Sequence, residues 1–179
     1  AADSDHDIVF SKRDANNKGS LFYVLANNVI EFAETNTLTT NWFRVQSSTV
    51  LANNTWYHVA VTYNGSSNWT GTQIYINGIE ETEVKVADSL TGDIQTIVNA
   101  DIGAQAETTN PLYFNGNIDE VMVFDKALSA TDISELYTRS LVNRTTYSTK
   151  TEFINWTSLA DDDYNYFVDV IDDAENYNS

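Results

Sequence analysis

Trp56-Tyr57-His58-Val59-Ala60-Val61-Thr62-Tyr63, a polar stretch, and then Ile74-Tyr75-Ile76-Asn77-Gly78 decide how this chain folds. In the first run Tyr57, Val59, Val61 and Tyr63 fall on one side of an extended backbone, the period-2 burial of a core strand. The second run ends at Asn-Gly, which accepts the positive φ angles of a type I′ hairpin turn. The polar-apolar run beyond it, through Val84 and Val86, reads as the returning strand. Further strands are expected at Ile8 to Lys12, Leu21 to Leu25, Val29 to Phe32, Trp42 to Val45, Val98 to Ile102, Leu112 to Phe114 and Ile118 to Phe124. Many short strands joined by tight polar turns make an all-β, two-sheet antiparallel β-sandwich. Ser129 to Thr138 reads as one short helix: Ser129 caps its amides, Asp132 sits near the positive end, and Ile133, Leu136 and Tyr137 share a face.

The chain has 179 residues, 42% of them apolar, which is enough to bury a core and rules out a disordered acidic tail. Against 26 Asp and Glu stand 9 Lys and Arg, and a net charge of −17 repels phosphate backbones and anionic lipid. Nucleic acid is therefore excluded as a partner class. The same charge suits a surface that attracts cations or stays hydrated at high ionic strength. With no cysteine, disulfides and thiol chemistry are excluded. No apolar run approaches the ~20 residues that span a bilayer, so no membrane insertion is expected in this chain, and Ala1 to Asp7 lack the character of a signal peptide. Without an initiator Met, it reads as a mature or excised portion of something longer.

After Ser140 the texture changes to Thr and Asn, which places a boundary between a body, residues 1–141, and a strand-rich C-terminal segment, residues 142–179. Two strands are expected there, Thr151 to Trp156 and Tyr164 to Ile171. The second alternates, with Tyr164, Tyr166, Val168 and Val170 on one side. Two strands do not make a stable domain alone. They are expected to join a sheet shared with a neighbouring domain or another copy of the chain, main-chain hydrogen bonds giving affinity and the alternating side chains giving register.

The run from Trp56 to Gly65, then Ile74 to Gly78, then Phe114-Asn115-Gly116-Asn117-Ile118-Asp119-Glu120-Val121, closing with Ala127-Leu128-Ser129, resembles the laminin G-like, concanavalin A-like jelly-roll modules of microbial surface proteins. The resemblance covers about residues 8 to 138 and implies one concave and one convex sheet, at an extracellular or cell-surface address. Such modules open with an extra strand upstream of what is Ile8 here, so the body is read as lacking its first strand. Leu159 to Tyr164, with Val168-Asp169-Val170 and Asp172 to Asn176, resembles the last strands of an immunoglobulin-like surface repeat. That makes the tail a partial immunoglobulin-like segment.

Five Asn-x-Ser/Thr triplets, at Asn53, Asn64, Asn68, Asn143 and Asn155, are candidate glycosylation sites. Asp119 stands where an apolar strand face meets the sandwich edge, and its carboxylate needs a partner. In related jelly rolls the aspartate of this Gly-x-Ile-Asp motif often holds a structural calcium with main-chain carbonyls; the other reading is a carboxylate capping backbone amides or pairing with Lys or Arg. Asp161-Asp162-Asp163 reads as a solvated turn. His58 reads as packing rather than metal or sugar binding. Among the tryptophans Trp69 is the glycan-stacking candidate because it sits in a loop, while Trp42 and Trp156 default to packing. Glu81 and Glu83 read as an exposed sheet edge.

Glycosidases on the resembled fold carry a strand of the form Glu-x-Asp-x-Glu or Glu-x-Asp-x-x-Glu, and this chain has none, so it is not read as an enzyme. The expected function is a non-catalytic, N-glycosylated structural or adhesive building block of a microbial surface layer or filament, assembled by strand addition between copies. The alternative is a lectin-like module that binds carbohydrate through an aromatic and polar cluster on the concave face.

Overall fold

The computed structural model describes residues 6–38, 40–106, 111–143 and 165–170, with side chains described for all but 141–143 and 165–170. Strands β1 (Asp7–Arg13), β2 (Gly19–Val24), β3 (Val29–Thr37), β4 (Asn41–Val50), β8 (Glu83–Asp88) and β9 (Asp101–Ile102) form one sheet in the order β8-β4-β3-β2-β1-β9. Opposite it lies a sheet of β12 (Asp119–Phe124), β13 (Asn165–Val170), β5 (Tyr57–Tyr63), β6 (Thr72–Ile76) and β7 (Ile79–Glu80), in that order. A two-residue pair, β10 (Ala104–Gln105) with β11 (Leu112–Tyr113), sits beside β1. Every pairing is antiparallel, so the all-β sandwich expected from alternation is the fold observed.

The core between the sheets follows the alternation. Phe22, Ile30, Phe32, Phe43 and Val45 point inward from one sheet, and Val59, Val61, Tyr63, Ile74 and Ile76 from the other. Phe32, Phe43 and Tyr63 meet as tilted rings with centroids 5.2 to 6.1 Å apart, the geometry in which aromatic quadrupoles attract. Such a core closes only because both sheets present every second residue to it.

The Asn77-Gly78 turn forms as read, with φ of 52° and 74° and Ile76 opposite Ile79. Its returning strand is a correction. After β7 the chain crosses to the other sheet, where Glu83 to Asp88 become an edge strand on β4. Period 2 says that Val84 and Val86 lie in a strand, not which sheet receives it. The crossing is held by Glu81, whose carboxylate accepts from the Thr49 amide at 3.0 Å while its own N–H donates to the Ile74 carbonyl at 2.9 Å. Val98 to Ile102 likewise shrinks to a two-residue strand, Asp101–Ile102.

Helix α1 (Ala130–Asn143) opens on a reciprocal cap. The Asp132 N–H donates to Ser129 Oγ at 3.2 Å, and the Asp132 carboxylate accepts from the Ser129 N–H at 2.9 Å and hydroxyl at 2.6 Å. Ile133 buries against Ala60 and Tyr75, so the helix covers the outer face of the five-stranded sheet. It runs past both the expected end at Thr138 and the boundary placed after residue 141. The expected strand Thr151 to Trp156, the Asp161-Asp162-Asp163 turn and Tyr164 lie outside the described residues.

The tail strand has a place within its own chain. There β13 pairs with β5 and β12 of its own sandwich, second from the β12 edge of the five-stranded sheet. Its register sets Tyr166 opposite Val123, Val168 between Val121 and Val59, and Val170 opposite Tyr57; these four partners belong to the core cluster or pack against it. The alternation read in the tail therefore matches the pleat of the sheet that receives it.

Candidate functional site

On the six-stranded sheet the face turned away from the core carries polar and aromatic residues in rows across the strands. One row is Ile8, Tyr23, Glu31 and Gln46; the next is Ser11, Leu21, Ala33 and Arg44; the third is Arg13, Gly19, Thr35 and Trp42. Glu31 is fully buried at the centre. Its carboxylate accepts from Arg44 Nε at 2.5 Å, Arg44 Nη2 at 2.9 Å, Gln46 Nε2 at 2.5 Å and the Tyr23 hydroxyl. Burial, then the Glu31 carboxylate, push the Tyr23 hydroxyl pKa well above its ordinary value. Burial acts to lower the Arg44 pKa, but the Glu31 hydrogen bond and charge override it and hold the guanidinium more firmly charged than usual.

Arg44 also lies 4.8 Å from the centre of the Trp42 ring, a cation–π contact. Arg13 Nη2 donates to Thr35 Oγ1 at 2.9 Å, passing over Gly19, the residue between them in the row. That position admits no side chain: φ is +120°, and an added Cβ would stand 2.0 Å from the Lys12 carbonyl. Arginine, tryptophan, tyrosine and amide groups thus gather on one face. A carboxylate with both oxygens occupied by charged and neutral donors is a poor acid or nucleophile, because each proton transfer would break existing hydrogen bonds.

The residues singled out in sequence are dispersed. Asp119 is exposed at the start of β12, beside a bulge at which Glu120 takes φ 48°, and its Oδ1 accepts from the Glu120 N–H at 2.8 Å. Among the described residues no group of three or more His, Cys, Asp or Glu is placed to hold a metal. Of the roughly 6–8 oxygens calcium takes, any ion at Asp119 would therefore draw most from carbonyls, amides and water.

Asn53 is exposed, with its Oδ1 held by Asn28 Nδ2 at 2.9 Å. Asn64 and Asn68 share one loop. Asn64 Oδ1 accepts from the Ser66 N–H, and Asn68 Oδ1 accepts from both the N–H and the hydroxyl of Thr70, at 2.9 and 2.8 Å, which leaves the Asn68 Nδ2 outside that turn. Asn143 is the last residue of α1, and Asn155 lies outside the described residues. Trp69 is half-buried in a single 3-10 turn and packs on the core, whereas Trp42 stands on the outward face with Arg44. The assembly residues Tyr166, Val168 and Val170 stand on β13.

His58 is buried under α1, its ring centroid 5.6 Å from that of Tyr137, and Asp169 is its register partner on β13. Burial holds its pKa down to about 4. The unfolded chain binds a proton near pH 6.5 that the folded chain refuses, so stability should fall as pH drops from about 6.5 to about 4 and then level off. Glu83 has the opposite sign: burial raises its carboxyl to about 7, so stability should fall as pH rises from about 4.5 through 7. The two windows overlap and their slopes oppose, so urea midpoints of the wild type should change little between about pH 4.5 and 6.5. His58→Gln should uncover a loss of stability as pH rises through that range, and Glu83→Gln a loss as pH falls; variants as flat as wild type would contradict these assignments.

Sequence reasoning missed Tyr23, Glu31, Arg44 and Gln46. The signal was present as Glu31-x-Ala33-x-Thr35 and Trp42-x-Arg44-x-Gln46, polar residues at period 2 inside strands whose other face is Phe and Val. Pairing those strings required the register of β3 and β4.

Two-sheet antiparallel topology, a capped helix over one sheet and a polar-aromatic outward face on the other define a jelly-roll module of the lectin and glucanase type. Residues 1–134 match the laminin G-like family model of the concanavalin A-like lectin/glucanases superfamily, and the chain belongs to that family. No curated protein matches the chain. Among solved structures, it is similar to residues 221–444 of an S-layer domain-containing protein from Clostridium thermocellum ATCC 27405, at 23% identity and a TM-score of 0.38 over 76% of this chain. The chain spans 65% of that one, and a likeness of this size carries no functional weight.

Proposed function

We propose that this is a non-catalytic, extracellular β-sandwich module serving as a structural or adhesive building block of a cell-surface assembly. The observation that carries the reading is β13: an interior place in the five-stranded sheet, between β12 and β5, is filled by a strand that follows the helix by 21 residues, 144–164. A sheet completed from a distance is a joint as well as a core. The turn-borne sequons support an extracellular life. Electron microscopy and light scattering on native material test it: long assemblies are expected, and a lone monomer at all concentrations would remove the reading.

Glycan binding is the second reading, favoured by the Trp42, Arg44 and Gln46 face. A monomer retained on an immobilised-glycan column, with retention lost in Trp42→Ala, would favour it. Two modifications belong to the primary reading. Glycan on Asn64 or Asn68 should appear in peptide mass spectra of native material, and both side chains bare would exclude it. Structural calcium at Asp119 should raise Tm by mass action, a shift that Asp119→Ala should abolish.

A further inference from the structure

Strand β13 is short, but its placement is specific. It pairs antiparallel on both sides, along Asp119 to Phe124 of β12 and along Tyr57 to Ala60 of β5. Removing it would leave β5 and β12 two strand spacings apart, about 9.6 Å, with facing rows of main-chain donors and acceptors and no partner between them. The sandwich therefore contains a slot one strand wide, and the chain carries the strand that fits it.

The connection is long for the distance it covers. Helix α1 runs along the outer face from Ile133, beside Ala60, to Tyr137, beside His58, and β13 starts at the Phe124 end of the slot. Returning over the six residues of β13 requires about 20 Å. The 21 residues at 144–164 reach up to about 70 Å when extended. Chain of that length is also long enough to reach the slot of a neighbouring copy, which offers the same pairs in the same register.

We infer that the slot between β5 and β12 is an acceptor for β13 of a second copy, each chain donating its strand to the next. This rests on the building-block reading and names its joint. Donor and acceptor are different surfaces, so the contact is heterologous: it propagates as an open chain unless the rotation happens to close. Main-chain hydrogen bonds hold the joint, and its register sets Tyr166 opposite Val123, Val168 opposite Val121 and Val59, and Val170 opposite Tyr57.

The chain has no cysteine, which permits a direct test on the full chain. Asp119 and Asp169 are register partners. Chains carrying Asp119→Cys alone are refolded together with chains carrying Asp169→Cys alone, then oxidised. An interchain disulfide between the two variants is expected; a mixture that stays uncrosslinked, while the double variant closes on itself at monomer mass, would overturn exchange. As a measurement on unaltered protein, a synthetic peptide of residues 161–174 in excess should shorten wild-type assemblies, and a scrambled peptide should not. Equal effects of the two peptides would also overturn it. Long wild-type assemblies without the crosslink would sink the slot and leave the building-block reading standing, whereas a monomer with the intrachain bridge would sink both.

Discussion

Val168→Pro is expected to lower Tm by about 6 to 12 °C and, on the building-block reading, to prevent assembly. Residue 168 lies at the centre of β13, opposite Val121 on one side and Val59 on the other. Proline removes the N–H at that position and sets its ring against the neighbouring strand, which a central strand does not accommodate. A lost ladder bond and the partner group left unsatisfied cost about 1–3 kcal/mol, and local distortion brings the total to about 3 kcal/mol. For a chain of this size each kcal/mol moves Tm by about 2–4 °C. Val168→Thr keeps the amide and the β-branched shape, so it should fall well short of that loss. Differential scanning calorimetry of both variants decides the matter: a proline variant within 2 °C of wild type would mean that residues 165–170 do not sit in the sheet.

The part of this fold that sequence reveals is the part governed by local rules. Asn77-Gly78 announces its turn because few other dipeptides take two positive φ angles cheaply, and Ser129 with Asp132 announces the helix because a cap is made within four residues. Sheet membership is not local. Val84 and Val86 alternate as well in an edge strand on β4 as in a hairpin with β6, and the choice falls to Glu81 reaching Thr49, a contact 32 residues apart. The tail shows the same division: the period of Tyr166, Val168 and Val170 is visible in the string, whereas its place between β5 and β12 depends on which edges are left open by everything upstream. The outward face was hidden for a related reason. Trp42, Arg44, Glu31 and Tyr23 are each ordinary surface residues in sequence, and become a cluster only when register aligns three strands. Asp119 and Trp69, in contrast, stood out because motif and loop position are local properties.

Glu31→Ala is expected to cost about 3 kcal/mol, or roughly 6 to 12 °C in Tm. The carboxylate has no solvent exposure, and its removal strands three donors: the Arg44 guanidinium, the Tyr23 hydroxyl and the Gln46 amide. Breaking one side of a buried pair costs about 3–5 kcal/mol, because the remaining charge keeps its desolvation penalty without its partner. Arg44 is 23% exposed in its side chain and can turn toward water, which sets the expectation at the low end of that range. The double variant Glu31→Leu with Arg44→Met should recover part of that loss, since an apolar pair of similar volume replaces the ion pair without leaving a charge behind, while the Tyr23 hydroxyl and the Gln46 amide still lack the carboxylate. A thermodynamic cycle over the two single variants and the double measures this coupling directly. If the single and double variants were equally destabilised, the Glu31–Arg44 pair would not be what organises this face. If the double variant is stable yet loses retention on a glycan column that wild type shows, the same residues that brace the sheet also face a ligand, and the lectin reading gains over the building block.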